Sequence, residues 1–299
     1  MPSLVETPRP PAGLYPFTSR SFERNGLRLH YLDEGQGEPI VMLHGNPTWS
    51  FYYRNLVVAL RDQYLCIVPD HLGCGLSEKP QPPRYDYSLQ SRIADLTALL
   101  EHLKITEKIT LVVHDWGGMI GLNWAVHHAE QIRRLVILNT AAFPLPQTKR
   151  LPWRLWLGRN TRLGAWLIKS ENLFCVHAAD IGTKRKPLPL DVREWYLKPY
   201  DNSDNRIAIL KFVQTIPLKP EDSGYDIIRE TGDGLAKFKE TPTLICWGMQ
   251  DFVFDAAFLA EWEKRLPHAK VHRFADCGHY ILEDAPGEII SLVREFLTT

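Results

Sequence analysis

The chain has 299 residues, 44% of them hydrophobic and 11% aromatic, which is enough apolar side chain for one large core with room for an inserted lobe. Lys plus Arg number 35 and Asp plus Glu number 35, so the formal net charge is zero. That balance points away from a nucleic-acid partner and from a charged membrane-surface patch. Five cysteines, Cys66, Cys74, Cys175, Cys246 and Cys277, form no CxxC pair and cannot all pair with one another. They read as buried thiols in a reducing compartment, which predicts a cytoplasmic protein.

In chain order, the N-terminal stretch MPSLVETPRPPAGLYPFTSR is rich in proline and polar residues and lacks the apolar run of a secretory signal. No later run reaches the length of a membrane span. SFERNGLRLHYLDEG alternates apolar and polar residues around Asn25-Gly26 and predicts a hairpin of two edge strands. PIVMLHG, LCIVPD, ITLVVHD, LVILNT and TLICWG are short continuous apolar runs, the pattern of strands buried on both faces of a parallel sheet. Segments of helical period separate them: FYYRNLVVALRD, LQSRIADLTALLEHL, MIGLNWAVHHAEQI and AAFLAEWEKRLP. This alternation predicts an α/β doubly wound, mostly parallel sheet.

The rhythm breaks between Leu138 and Leu244, where WRLWLGRNTRLGAWLIKSENLF, PLDVREWYLKPY and NRIAILKFVQTI read as successive aromatic-rich helices. Residues 143–217 are therefore expected to form a helical cap inserted into a core of residues 1–142 and 218–299. As an ordinary surface bundle the insertion would do little. As a lid above the strand ends it would supply apolar walls and exclude water.

Within LVVHDWGGMIG, an apolar strand runs into His114-Asp115-Trp116-Gly117-Gly118 and then a helix, the pattern of a nucleophile elbow with Asp115 in the nucleophile's place. Val113 replaces the first glycine of the usual G-x-S-x-G form, while Gly117 and Gly118 keep room for close strand–helix approach. In such a sheet the acid and the histidine follow the nucleophile in sequence. Asp251 in TLICWGMQDFVF and His279 in VHRFADCGHYILEDAP each come just past a strand, where these sheets assemble their sites. Asp251 read alone is a helix N-cap and His279 a satisfied loop histidine, but the three in order make a triad. LHGNPTWS places the backbone N–H of Asn46 opposite that of Trp116 as an oxyanion hole. The glycines of DHLGCGLSEKP, Gly73 and Gly75, serve backbone geometry.

A carboxylate with a reference pKa of ~3.9 is already charged at neutral pH and needs no base to attack. Attack on an acyl carbon would give a labile anhydride. Attack on a saturated carbon bearing a leaving group gives an alkyl ester of Asp115, which water activated by His279 can cleave while Asp251 holds the imidazole. A departing halide needs fixed N–H donors, and the Trp116 indole and Asn46 amide flank the nucleophile; packing and a local turn are the alternative uses of these two side chains.

HGNPTWS, DHLGCGLSEKP, HDWGG, WGMQDFVF and GHYILEDAP together resemble the haloalkane dehalogenase family of α/β-hydrolases, over nearly the whole chain after the N-terminal arm. The resemblance implies an α/β-hydrolase fold and an enzyme without cofactor or metal. It assigns Asp115 as nucleophile, His279 as base, Asp251 as acid, and Asn46 with Trp116 as halide-binding pair. Its substrate would be a small apolar haloalkane and its products alcohol, halide and a proton. The subgroup it resembles most, which combines an Asn–Trp halide pair with an acid after the later strand, is also similar to the β-lactone decarboxylases of bacterial long-chain olefin synthesis, for which the same five residues would release CO2 and a cis-alkene from a lactone. The direct use of the Asn46–Trp116 pair for halide ranks dehalogenation first. Epoxide hydrolases also resemble HDWGG, and Tyr196 and Tyr200 in WYLKPY could serve as their ring-oxygen donors. Fluoroacetate dehalogenases resemble H-D-R-G, from which Trp116 departs. A noncatalytic ligand receptor of this fold would be favoured by a broken triad, and the triad here is intact. Oligomeric state is not legible.

Overall fold

The computed structural model describes residues 8–298; the first seven residues of the N-terminal arm, and Thr299, lie outside the described residues. Its strands are β1 (Ser19–Arg24), β2 (Leu27–Glu34), β3 (Pro39–Leu43), β4 (Leu65–Pro69), β5 (Ile109–Asp115), β6 (Ile132–Thr140), β7 (Thr243–Gly248) and β8 (Lys270–Phe274). They form one sheet in the order β1-β2-β4-β3-β5-β6-β7-β8. The β1–β2 and β2–β4 pairs are antiparallel and all other pairs parallel, the doubly wound arrangement read from the sequence. Asn25 (φ 52°) and Gly26 (φ 70°) both take the left-handed conformation that a tight hairpin turn requires. One expectation changes: β2 is not an edge strand, because Tyr31–Glu34 also pair with β4.

The two faces of the sheet feed separate apolar layers. Val41, Leu43, Leu111, Val113, Ile137 and Ile245 belong to one, and their neighbours Ile40, Met42, Val112, Val136, Leu138 and Leu244 to the other. A period of two in an unbroken apolar run thus puts a core on both sides, which is why these strands carry no polar alternation.

Helices α1 (Arg54–Leu60), α2 (Leu89–Leu103) and α3 (Trp116–His127) follow β3, β4 and β5. Between β6 and β7 come α4 (Trp153–Asn160), α5 (Arg162–Lys169), α6 (Leu173–Ile181), α7 (Leu190–Leu197), α8 (Ile207–Gln214) and α9 (Tyr225–Gly234). α9, an element beyond the helices expected from the sequence, packs on α3 and so belongs with the sheet. After β7 come α10 (Ala256–Arg265), α11 (Ile281–Asp284) and α12 (Pro286–Leu297). All five cysteines are free and buried. Among the described residues no helix is long and apolar enough to cross a membrane.

The inserted helices are fastened to the sheet domain by two kinds of contact. Polar bonds hold α7 and the turn before it. The Tyr196 hydroxyl donates to Glu283, which Arg54 grips through both terminal nitrogens, at 2.9 Å on one side. The backbone N–H groups of Lys184 and Arg185 donate to Asp284, and that of Tyr280 to the Gly182 carbonyl. Ring contacts hold α8: the Phe212 ring lies 5.0 Å from that of Trp116, and the Arg92 guanidinium stacks 3.5 Å from the Phe212 centroid.

Candidate active site

β5 delivers its last residue, Asp115, into a strained backbone conformation (φ 50°, ψ −126°) from which α3 starts at once. A non-glycine residue at positive φ costs energy unless its surroundings fix it. Here they do. The Thr140 hydroxyl donates to the Asp115 carbonyl, and a Cβ on Gly117 or Gly118 would collide with the Leu43 carbonyl or the Thr140 side chain. The two glycines are thus what lets α3 start this close to β3 and β6.

The Asp115 carboxylate is 2.7 Å from the backbone N–H of Asn46, which donates to Oδ1. Burial raises its pKa, opposed by His279 and by the N–H groups of Asn46 and Trp116, with a net shift upward. Gly45 lies against the same carboxylate, and a Cβ there would occupy the space of the Asp115 side chain. We expect Gly45→Ala to lower turnover by about 10²-fold or more through displacement of the nucleophile, measured as kcat on a protein whose unfolding midpoint is unchanged.

His279 Nδ1 donates to Asp251 Oδ2 at 2.7 Å, and its Nε2 stands 3.7 Å from Asp115 Oδ2. Asp251 is not a helix N-cap; that role at α10 belongs to Asp255. The second Asp251 oxygen accepts the N–H groups of Val253 and Phe254, so the carboxylate is aimed by its own loop. Burial pulls the His279 pKa down, but the Asp251 and Asp115 carboxylates outweigh it and leave the pKa raised. Three further imidazoles crowd the strand ends. Burial lowers His44 to about 4 and pushes His71 and His114 well down. Of these four rings only His279 is held above the ordinary imidazole value.

The structure brings together all five residues singled out in the sequence: Asn46, Asp115, Trp116 and His279 line one cavity of about 510 Å3, and Asp251 stands behind His279. The Asn46 amide donates one N–H to the Ile209 carbonyl at 3.2 Å, leaving its second hydrogen unassigned. Trp116 lines the cavity, and its indole N–H makes no hydrogen bond to another of the described residues. Above this polar floor the walls are apolar, among them Leu155, Leu157 and Ile168 from α4 and α5, Phe174 from α6 and Val213 from α8.

Tyr196 and Tyr200 are placed elsewhere. Both are fully buried, the Tyr196 hydroxyl on Glu283 and the Tyr200 hydroxyl between Gly75 and Thr48, and neither lines the cavity. The epoxide-hydrolase reading therefore loses its acid donors. Gly73 and Gly75 both sit at positive φ in the turn around Asp70, a structural role as expected. Sequence reasoning missed Gly45, Thr140 and His114, whose ring donates to the His279 carbonyl at 2.9 Å. Their adjacency to Asn46, to the end of β6 and to Asp115 was the available signal.

Residues 38–286 match the sequence family described as alpha/beta hydrolase fold. The chain belongs to the α/β-hydrolase family. This α/β-hydrolase is 57% identical to a protein of Shewanella oneidensis named cis-3-alkyl-4-alkyloxetan-2-one decarboxylase, over 95% of this chain and 90% of that one. It is 32% identical to haloalkane dehalogenase 2 of Mycobacterium tuberculosis, over 98% of this chain and 99% of that one. Its fold is that of the crystal structure of haloalkane dehalogenase DatA from Agrobacterium tumefaciens C58, with a TM-score of 0.84 at 24% identity, covering 94% and 96% of the two chains. The α/β-hydrolase fold expected from the five motifs is thus the one present.

Proposed function

We propose that this α/β-hydrolase decarboxylates cis-3,4-dialkyl oxetan-2-ones, with Asp115 as nucleophile, His279 and Asp251 as its charge partners, and Asn46 and Trp116 as oxygen-binding donors. The observation that carries this reading is the 57% identity, over nearly the whole chain, to a protein named for that reaction. The large apolar cavity above Asp115 supports it, because two alkyl chains need such walls. This reverses the order in which the sequence alone ranked the two reactions.

In the proposed reaction Asp115 Oδ1 stays anchored on the Asn46 N–H and Oδ2 attacks ring carbon C4. The C4–O bond breaks with inversion, and its electron pair goes to the carboxylate now carried on C3. The Asn46 amide and Trp116 indole hold that carboxylate. The C3–carboxylate bond then breaks opposite the new ester bond. Its electrons form the C3–C4 double bond, CO2 leaves, and the C4–Oδ2 pair returns to Asp115. Inversion followed by opposite-face elimination yields the cis-alkene from the cis-lactone, and no water is consumed. The His279 imidazolium stabilises the returning carboxylate. Residues 143–217 act as the cap, keeping water from the ester, and the free buried thiols suit the cytoplasm.

A second reading, hydrolytic dehalogenation, is favoured by Trp116, an indole N–H donor in the cavity lining beside the nucleophile, and by the 32% identical dehalogenase. The deciding experiment supplies a long-chain cis-β-lactone in one tube and 1-iodobutane or 1,2-dibromoethane in another, and measures alkene and halide. Alkene with negligible halide supports decarboxylation. Halide release without alkene would overturn it. Trp116→Phe is expected to slow alkene formation by about 10²–10³-fold, the scale for one lost donor to developing oxygen charge; an unchanged rate would remove Trp116 from the site.

A further inference from the structure

We propose that the outer face of α4 and α5 docks on a bilayer containing anionic phospholipid, setting the mouth of the cavity against the membrane. Docking itself holds whichever reaction the site performs; only its use in delivering a long-chain substrate rests on the lactone reading.

The overall charge balance hides a local imbalance. Residues 144–170 contain Lys149, Arg150, Arg154, Arg159, Arg162 and Lys169 and no Asp or Glu. Three of these cations are paired with Asp255, Asp222 and Asp204. Arg150 and Arg162 have no ion pair among the described residues, and Arg154 stacks against the Trp153 ring at 5.2 Å. The same segment carries Trp153, Trp156 and Trp166, which are 69%, 53% and 51% exposed, with Leu163 exposed between them. The spacings 153/156 and 163/166 put each pair on one side of its helix. The opposite sides, with Leu155, Gly158, Gly164 and Ile168, are buried as α4 and α5 pack on α8.

An anionic bilayer is the occupant that this chemistry fits. Exposed indoles amid arginines match the headgroup boundary, where the rings enter the apolar side and the cations meet phosphate. A second copy of the face would oppose like charge to like. A protein seated there would also stopper the cavity, because Trp153 and Arg154 both line it and lie on the exposed face. A fluid hydrocarbon surface covers the tryptophans and leaves the mouth passable to an apolar ligand.

The test is flotation of the full chain with phosphatidylcholine vesicles with and without phosphatidylglycerol, at low and high salt. Expected are co-flotation with the anionic vesicles, a blue shift of tryptophan emission, and release by salt. Arg150→Glu with Arg162→Glu should lower the partition coefficient at least about tenfold. Trp156→Gln with Trp166→Gln should lower it comparably and diminish the blue shift, and an unchanged unfolding midpoint shows that both variants fold. No co-flotation, or co-flotation untouched by both double variants, overturns the proposal. So would variants that dissolve a self-associated form seen by sedimentation without vesicles while leaving vesicle binding intact. None of these readouts requires turnover, so failure of the proposed reaction would not be mistaken for failure of docking.

Discussion

Asp115→Asn should lower alkene formation and halide release alike by on the order of 10⁴-fold or more, the scale seen when a nucleophile is removed from a preorganised site. The substitution is nearly isosteric. Its Oδ1 can still accept the Asn46 N–H, and the elbow still rests on Gly117, Gly118 and Thr140. What disappears is the negative charge that attacks carbon, since a neutral amide is a poor nucleophile at a saturated centre. Both candidate reactions begin with that attack. Single-turnover and steady-state rates measured together, with mass spectrometry excluding deamidation back to aspartate, give the answer. Residual turnover within tenfold of the unaltered protein would mean that Asp115 does not bond to substrate.

His279→Gln separates the reactions that Asp115→Asn cannot. Hydrolysis of an alkyl ester needs His279 as a base toward water, so steady halide release should fall by about 10³–10⁴-fold, with the alkylated Asp115 accumulating as a mass shift. Fragmentation of the opened lactone consumes no water, so alkene formation should fall by no more than about 10²-fold, the part owed to the lost imidazolium. The pH dependences differ in the same sense. Because His279 is raised above the ordinary imidazole value by two carboxylates, its neutral form, and with it halide release, grows as pH rises through that pKa. The imidazolium, and with it alkene formation, declines over the same range. On the acid side both reactions fail as Asp115 protonates, and they fail at a higher pH than an ordinary carboxylate would dictate because burial has raised it. Parallel pH profiles, or equal losses in His279→Gln, would refute the water-free route.

The sheet and the site were legible in the sequence for a common reason. Strands buried on both faces must be apolar throughout, so ITLVVHD and TLICWG stand out, and the polar residue that ends such a run projects where sites form. Asp115 and Asp251 come at or just past such runs, whereas His279 follows β8, whose KVHRF is polar and only partly buried, and is legible instead from its order after the other two. Less visible were arrangements set by tertiary neighbours. β2 reads as an edge strand because its own residues do not say that β4 will pair with it. The charge on α4 and α5 vanishes in a chain-wide count because the balancing carboxylates lie far off in sequence. Tyr196 and Tyr200 look like site residues until Glu283 and Thr48 claim their hydroxyls. The choice between lactone and halide was not written in the five residues, since both leaving groups call for the same N–H donors.

The fastening of the inserted helices has an evolutionary side. The residues that secure α7 and the turn before it, Arg54, Tyr196, Glu283 and Asp284, are not among those that face the cavity, such as Leu157, Phe174 and Val213; only at α8 do two site residues, Asn46 and Trp116, also make the contact. A lineage can therefore exchange cavity-facing side chains by small, volume-tolerant steps without disturbing the polar joints. Diversification is cheap where molecules are chosen and restrained where the lobe is held. Such a division would let relatives named for strained lactones and for haloalkanes descend through gradual drift on one scaffold, with no folding catastrophe between them.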